Sequence, residues 1–129
     1  MYKVRATSCV IAAGAYDQPV VFRNNDLPGV MLTSAAQRLM QHYGVKPGQR
    51  AVLLTGNDDA YLAALMMHEQ GVTVAAIIDL RTALPPAART HPLQRSGTAL
   101  LANATVSQAL AASACPISEV QGPSRVGHS

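Results

Sequence analysis

Tryptophan is absent from this chain and phenylalanine occurs once, at Phe22, so no aromatic cluster can anchor its interior. With 49% of 129 residues hydrophobic, the core must instead be aliphatic and rich in alanine, which suits helices lying close on parallel strands. The length fits one domain or a piece of a larger one, and folding at this size buries roughly two-thirds of the unfolded chain's surface. Cysteine is equally scarce: Cys9 stands in an apolar stretch and Cys115 in a polar tail, which makes neither a metal-binding spacing nor a disulfide framework. Buried or idle thiols in a reducing compartment are expected. No apolar run approaches the ~20 residues that span a bilayer, because Gly, Asp, Asn or Arg interrupts each one. The N-terminus also lacks a basic region followed by an apolar stretch, and a cytoplasmic location is expected. The net charge of +3 comes from basic residues scattered between Lys3 and Arg125 without a run or a basic helix face, so nucleic-acid binding has no support. No internal repeat is present.

What the chain does contain is a strand, turn, helix, strand pattern over residues 51 to 81, AVLLTGNDDAYLAALMMHEQGVTVAAIIDLR. Ala51 to Leu54 form an apolar run that feeds Thr55 and Gly56. Asn57, Asp58 and Asp59 can cap a helix through Met67, Gly71 can end it, and Val72 to Ile78 make a second apolar strand. Asp79 stands twenty-three positions after Gly56, close to the roughly 20-residue spacing that puts a carboxylate on a ribose hydroxyl. The pattern predicts an α/β fold with a parallel sheet and flanking helices, Rossmann-like, with Gly56, Asn57, Asp58 and Asp79 as candidate cofactor-binding residues.

The turn departs from the full glycine fingerprint. If Gly56 is the first glycine, the second position is Asp58 and the third is Tyr61, so a carboxylate sits where pyrophosphate belongs and a ring where the helix should touch the strand. A carboxylate there suits the helix dipole but repels a second anion and can occupy its amide groups. Direct pyrophosphate binding and retention of the fold for structure alone both remain open. Arg81, two residues beyond Asp79, can meet a nucleotide phosphate or be an ordinary surface arginine.

Upstream, Cys9 to Ala13 read as an apolar strand that stops at Gly14, and its small terminal residues permit close approach by a ligand or another backbone. Tyr16 to Met31, with Pro19, Pro28 and the cluster Asn24, Asn25 and Asp26, reads as a connecting loop with one extended piece around Val20 to Phe22. A helix follows, capped by Thr33 or Ser34, with Ala35, Ala36, Leu39, Met40 and Tyr43 on one face and Gly44 at its end.

The string IAAGAYDQPVVFRNNDLPGVMLTSAAQRLMQHYGVKPGQRAVLLTGNDDAYLAAL resembles the middle of the alpha subunit of heterotetrameric sarcosine oxidase, a flavoprotein with two dinucleotide-binding domains. The likeness covers roughly residues 5 to 81. It rests on the strand end at Ala12, Ala13 and Gly14, on the NNDLPGVM segment from Asn24 to Met31, and on the TGND turn before DAY where the family commonly has TNND before AY. The resemblance implies an oxidoreductase subunit that carries NAD, in a complex that demethylates sarcosine or a related secondary amine oxidatively. FAD and FMN then belong to the complete complex and its partner subunits, and folate takes the one-carbon unit. It further implies that the tight NAD contacts come from a first glycine-rich turn upstream of Met1, to which Ala13 and Gly14 return the chain. Two departures limit the transfer: the strand end reads AAG where ATG is common, and the family's alpha subunits are several times longer.

The implied organisation is residues 1–45 as the returning part of a first nucleotide-binding domain plus a linker helix, 46–112 as a second, degenerate βαβ domain, and 113–129 as a disordered tail. Past Leu84, Pro85, Pro86 and Pro92 open a loop, Thr98 to Ala102 read as a further strand and Ser107 to Ala114 as weakly helical. No catalytic residue is assigned. His42 and His68 sit near helix ends, where a dipole-friendly histidine is ordinary; His91 and His128 lie in loop and tail; no pair has metal-site spacing, and no G-x-S-x-G occurs. On this reading the chain alone is inactive, works with the other subunits, meets no membrane or nucleic acid, and is open to homodimerisation when isolated. The alternative is a non-catalytic structural or subunit-contact module whose nucleotide site is degenerate.

Overall fold

The computed structural model describes residues 2, 3, 5–110 and 119–121. Helix α1 (Thr33–Tyr43) precedes strand β1 (Arg50–Thr55), helix α2 (Asp59–Glu69), strand β2 (Thr73–Asp79), helix α3 (Ala87–Arg95) and strand β3 (Ala99–Ala102). Strands β4 (Thr105–Gln108) and β5 (Glu119–Gln121) follow. β1, β2 and β3 form a parallel sheet in that order, whereas β4 and β5 pair antiparallel in a second sheet. The fold is α/β and Rossmann-like, as the sequence predicts, with β1 and β2 parallel neighbours joined through α2.

The apolar runs explain the layers. Leu53, Val74 and Ile77 face one side of the sheet and pack with Ala36 and Met40 of α1, Ala60, Tyr61, Ala64 and Met67 of α2, and Leu93 of α3. Ile78 faces the other side with Ala104 and Val106, against which Phe22, Val52 and Leu54 are half-buried. Covering on both faces is what a parallel sheet requires, and it is why β1 and β2 read as continuous apolar runs rather than alternating ones. Val74 and Ile77 reach the same face because the β1–β2 register steps from Ala51 opposite Val74 to Val52 opposite Ala76, which leaves Ala75 as a bulge. Ala63 and Ala64 are fully buried, so α2 sits close on β2.

Local signals set the ends of the elements. Gly44 takes a left-handed conformation at φ 62°, and its N–H and that of Val45 bond back to Met40 and Leu39, closing α1 as expected. Gly71, at φ 74°, turns the chain from α2 into β2. Asn24, at φ 63°, opens successive turns through the loop before α1, and the extended piece at Phe22 leads into Arg23, which bridges to Gln108 in β4. The expected side-chain cap on α1 is absent: neither Thr33 nor Ser34 supplies it, and the Ser34 N–H is met instead by Asp17 Oδ2 at 3.1 Å.

Further expectations differ from the structure. Cys9 to Ala13 do not form a strand, with Val10 89% and Ile11 86% exposed, because a strand's backbone groups need a partner ladder and no described strand supplies one. Cys9 is likewise exposed, not buried. The proline-containing stretch after Leu84 is not wholly loop, since Ala87–Arg95 is helical with Pro86 immediately before it. Pro92 lies inside that helix, where it removes one N–H donor from a nine-residue element. Ser107 and Gln108 belong to β4 rather than to a helix, Ala109 and Leu110 are in no helix either, and residues 111 to 114 of that expected helix lie outside the described residues, as does Cys115. β5 lies in the stretch expected as a tail; the other residues of that tail are outside the described ones. Among the described residues no helix is long and apolar enough to cross a membrane.

Candidate nucleotide half-site

The turn after β1 and the end of β2 lie side by side, with Thr55 opposite Asp79 in the parallel register. Thr55 folds the turn locally. Its Oγ1 donates to the Asn57 carbonyl at 3.0 Å and accepts from the Asn57 N–H at 3.1 Å. Asn57 Oδ1 then accepts the Asp59 N–H at 3.1 Å, so of the three expected caps it is Asn57 that holds the start of α2. Asp58 makes no side-chain cap and is directed elsewhere.

Asp79 is fully buried. Its Oδ2 accepts the Tyr61 hydroxyl at 2.8 Å and Arg81 Nη2 at 2.8 Å; its Oδ1 accepts the Arg81 backbone N–H at 2.9 Å and Arg81 Nε at 3.0 Å. Arg81 continues outward, with Nη1 donating to Asp58 Oδ1 at 2.7 Å, and Arg89 on α3 donates to the other oxygen of Asp58. The chain of contacts Tyr61, Asp79, Arg81, Asp58, Arg89 therefore ties α2, β2 and α3 together across the carboxyl ends of the strands.

The titration tendencies follow from this packing. Burial alone would raise the Asp79 carboxyl, but the side-chain and backbone hydrogen bonds from Arg81, with that from Tyr61, outweigh it and hold the group below the usual aspartate range. Burial first, then the hydrogen bond to Asp79, pushes the Tyr61 phenol above its ordinary range. Hydrogen bonds to Asp79 and Asp58 hold the Arg81 guanidinium even more firmly in its charged form.

The six residues singled out in the sequence do not converge. Gly56 and Asn57 are exposed and line a groove of about 1030 Å³ that runs along β1 between the loop before α1 and the start of α2. Neither Asp58 nor Asp79 lines that groove. A Cβ on Gly56 would stand 3.8 Å from Leu80 Cδ1, an ordinary contact, so the packing of the chain itself does not demand a glycine there. Ala13 and Gly14 are exposed in the N-terminal segment, where Gly14 takes φ 69° with open space about it. Sequence reasoning missed the joining of Tyr61 to Asp79, eighteen positions apart, although the ring at the third glycine position and the arginine two residues past Asp79 were the available signals.

His68 has a position of its own. The Ser96 hydroxyl donates to the Leu93 carbonyl at 2.7 Å and the Thr98 hydroxyl to the Val74 carbonyl at 2.9 Å, which commits both protons. His68 Nε2 lies 3.1 Å from each of those oxygens, so it carries the hydrogen and donates to both. The imidazole thereby fastens the end of α2 to the turn between α3 and β3.

Fold and site together define a Rossmann-like βαβ unit with a carboxylate at the end of its second strand. No family model matches the chain. It is 41% identical over 88 residues to the sarcosine oxidase subunit alpha of Corynebacterium sp. (strain P-1), a match that takes in 68% of this chain and 9% of that protein. The sarcosine oxidase subunit alpha of Rhizobium meliloti (strain 1021) is 39% identical over 83 residues, 64% of this chain and 8% of that protein. That of Corynebacterium sp. (strain U-96) is 34% identical over 88 residues, again 68% and 9%. The resemblance read in the sequence is borne out: this chain is related to a segment of sarcosine oxidase alpha subunits, and it spans less than a tenth of the length of the curated relatives it matches.

Proposed function

We propose that the chain serves as a segment of an alpha-type subunit in an oxidoreductase complex that demethylates sarcosine or a related secondary amine oxidatively. It contributes there to the dinucleotide-binding portion of the subunit. The observation that carries this reading is the similarity to three sarcosine oxidase alpha subunits over about two-thirds of the chain, on a parallel βαβ unit of the kind that binds dinucleotides. In this reading residues 1–45 return from a first nucleotide-binding domain, 46–112 are the second, and NAD is the dinucleotide. FAD and FMN are served by the complete complex. The parts of this chain free to meet NAD are the exposed N-terminal segment at Ala13 and Gly14 and the open lip at Gly56 and Asn57, where small residues leave room for close approach.

Titration of the purified chain with NAD to millimolar concentration, followed by amide NMR shifts, tests the dinucleotide part of this proposal. Shifts at Gly14, Gly56 and Asn57 are expected; an unchanged spectrum would favour the alternative of a subunit-contact module. The chain supplies no acid, base or nucleophile in this scheme. His68→Ala, which removes only the tie to Ser96 and Thr98, is expected to leave turnover of the complete complex within several-fold, and a hundredfold loss in the chemical step would contradict it.

A further inference from the structure

We infer that Asp58, Tyr61 and Arg81 are a built-in occupant of the nucleotide half-site, taking the places of the pyrophosphate, a ribose hydroxyl and the remaining polar partner of Asp79. The inference rests on reading residues 50–79 as a dinucleotide-type unit. It decides which of that unit's residues are closed to a ligand.

Three observations carry it. An ionised carboxylate has about four lone-pair sites. Those of Asp79 are taken by the Tyr61 hydroxyl, the Arg81 N–H, Arg81 Nε and Arg81 Nη2, at 2.8 to 3.0 Å, and the residue is 0% exposed. A ribose hydroxyl therefore finds neither an open acceptor nor a path to one, and the phenol of Tyr61 already makes the bond that such a hydroxyl would make. Second, Asp58 stands at the second glycine position and carries a negative charge, bound by Arg81 and Arg89, at the start of α2 where a pyrophosphate would lie. Third, the charges cancel: Asp58 and Asp79 against Arg81 and Arg89 leave no net positive charge to draw a phosphate in. Consistent with this, the groove beside β1 reaches Gly56 and Asn57 but not Asp58 or Asp79.

The test uses the full chain with ADP and NAD as probes, read by amide NMR shifts and by titration calorimetry. In the unaltered chain, millimolar ADP is expected to leave the amides of Tyr61, Asp79 and Leu80 unmoved. Asp58→Gly supplies the second glycine and releases Arg89 and the Nη1 of Arg81, leaving one uncompensated positive charge, and it should bind ADP roughly tenfold or more tightly than the unaltered chain, with new shifts at Arg81 and Arg89. Asp58→Asn keeps the side chain's size while removing its charge. It should change ADP affinity in the same direction by a smaller factor, which preserves the test if the glycine variant fails to fold.

ADP or NAD shifts at Asp79 and Leu80 in the unaltered chain, abolished by Asp79→Asn, would overturn the inference while leaving the dinucleotide proposal standing. Absence of any ADP gain in a folded Asp58 variant would overturn it too. If NAD moves no amide of the unaltered chain but Asp58→Gly gains ADP binding, the inference holds and the dinucleotide part of the proposed function fails.

Discussion

Replacing Asp79 by asparagine should lower the unfolding free energy of the chain by about 1.5–3 kcal/mol at neutral pH, the order expected when a buried carboxylate loses its charge-assisted hydrogen bonds to a partly exposed guanidinium. The amide is isosteric, so the loss is not one of volume. Whichever oxygen the NH2 group replaces, it would face an N–H donor of Arg81, donor against donor, at a fully buried position. The effect carries a pH signature. In the folded chain the Asp79 carboxyl titrates below its ordinary value, so as pH falls through and below about 4 the unfolded chain takes up the proton first. The stabilisation is complete above that range and is lost as pH falls through the lower folded value. Urea unfolding at pH 7 and at pH 3 checks this: the gap between the original chain and the variant should narrow at the lower pH, and a gap that stays constant would contradict the ion-pair assignment.

Tyr61→Ala should cost about 3–5 kcal/mol, because it removes a fully buried ring at the start of α2 and leaves a cavity between that helix and β2. Tyr61→Phe separates packing from polarity: it keeps the ring and removes only the hydrogen bond to Asp79, at about 1.5–3 kcal/mol for a bond to a charged group. The phenol titrates above its usual range in the folded chain. Above pH ~10 the unfolded chain therefore releases this proton first, and stability declines as pH rises further. Thermal unfolding between pH 7 and 11 should show that decline in the original chain and less of it in the phenylalanine variant. Equal stability of the phenylalanine variant and the original chain would mean that the hydroxyl contributes nothing.

Much of the fold was legible because its signals are local. Ala51 to Leu54, the helix through Met67 and Val72 to Ile78 match β1, α2 and β2 to within two residues, since each is an apolar run bounded by Gly56 or Gly71. Gly44 marked the end of α1 for the same reason. α3 was hidden by Pro85, Pro86 and Pro92, and by its short contact face: among its residues only Thr90 and Leu93 are buried, too few to show a helical period. Cys9 to Ala13 have the composition of a strand, but composition cannot supply a neighbouring strand, and the described residues hold none beside them.

The candidate site was half legible. The position of Asp79 at the end of β2 follows from spacing, as does the adjacency of the Gly56 turn. That Tyr61 and Arg81 occupy its oxygens does not, because it depends on where the first turn of α2 comes to rest on β2, and that is set by the small residues Ala60, Ala63 and Ala64 packing against the sheet. The bulge at Ala75 is similarly invisible in an unbroken apolar run, yet it decides which face Ile77 and Ile78 take.

The most direct measurement is a carboxyl carbon-13 NMR titration of Asp79 in the full chain, with and without NAD. A carboxyl held by Tyr61 and Arg81 should stay ionised below the ordinary aspartate range and keep the same titration curve when NAD is added. A carboxyl that titrates at or above about 4 and whose signal moves with NAD would show instead that this group is open and engages the nucleotide directly.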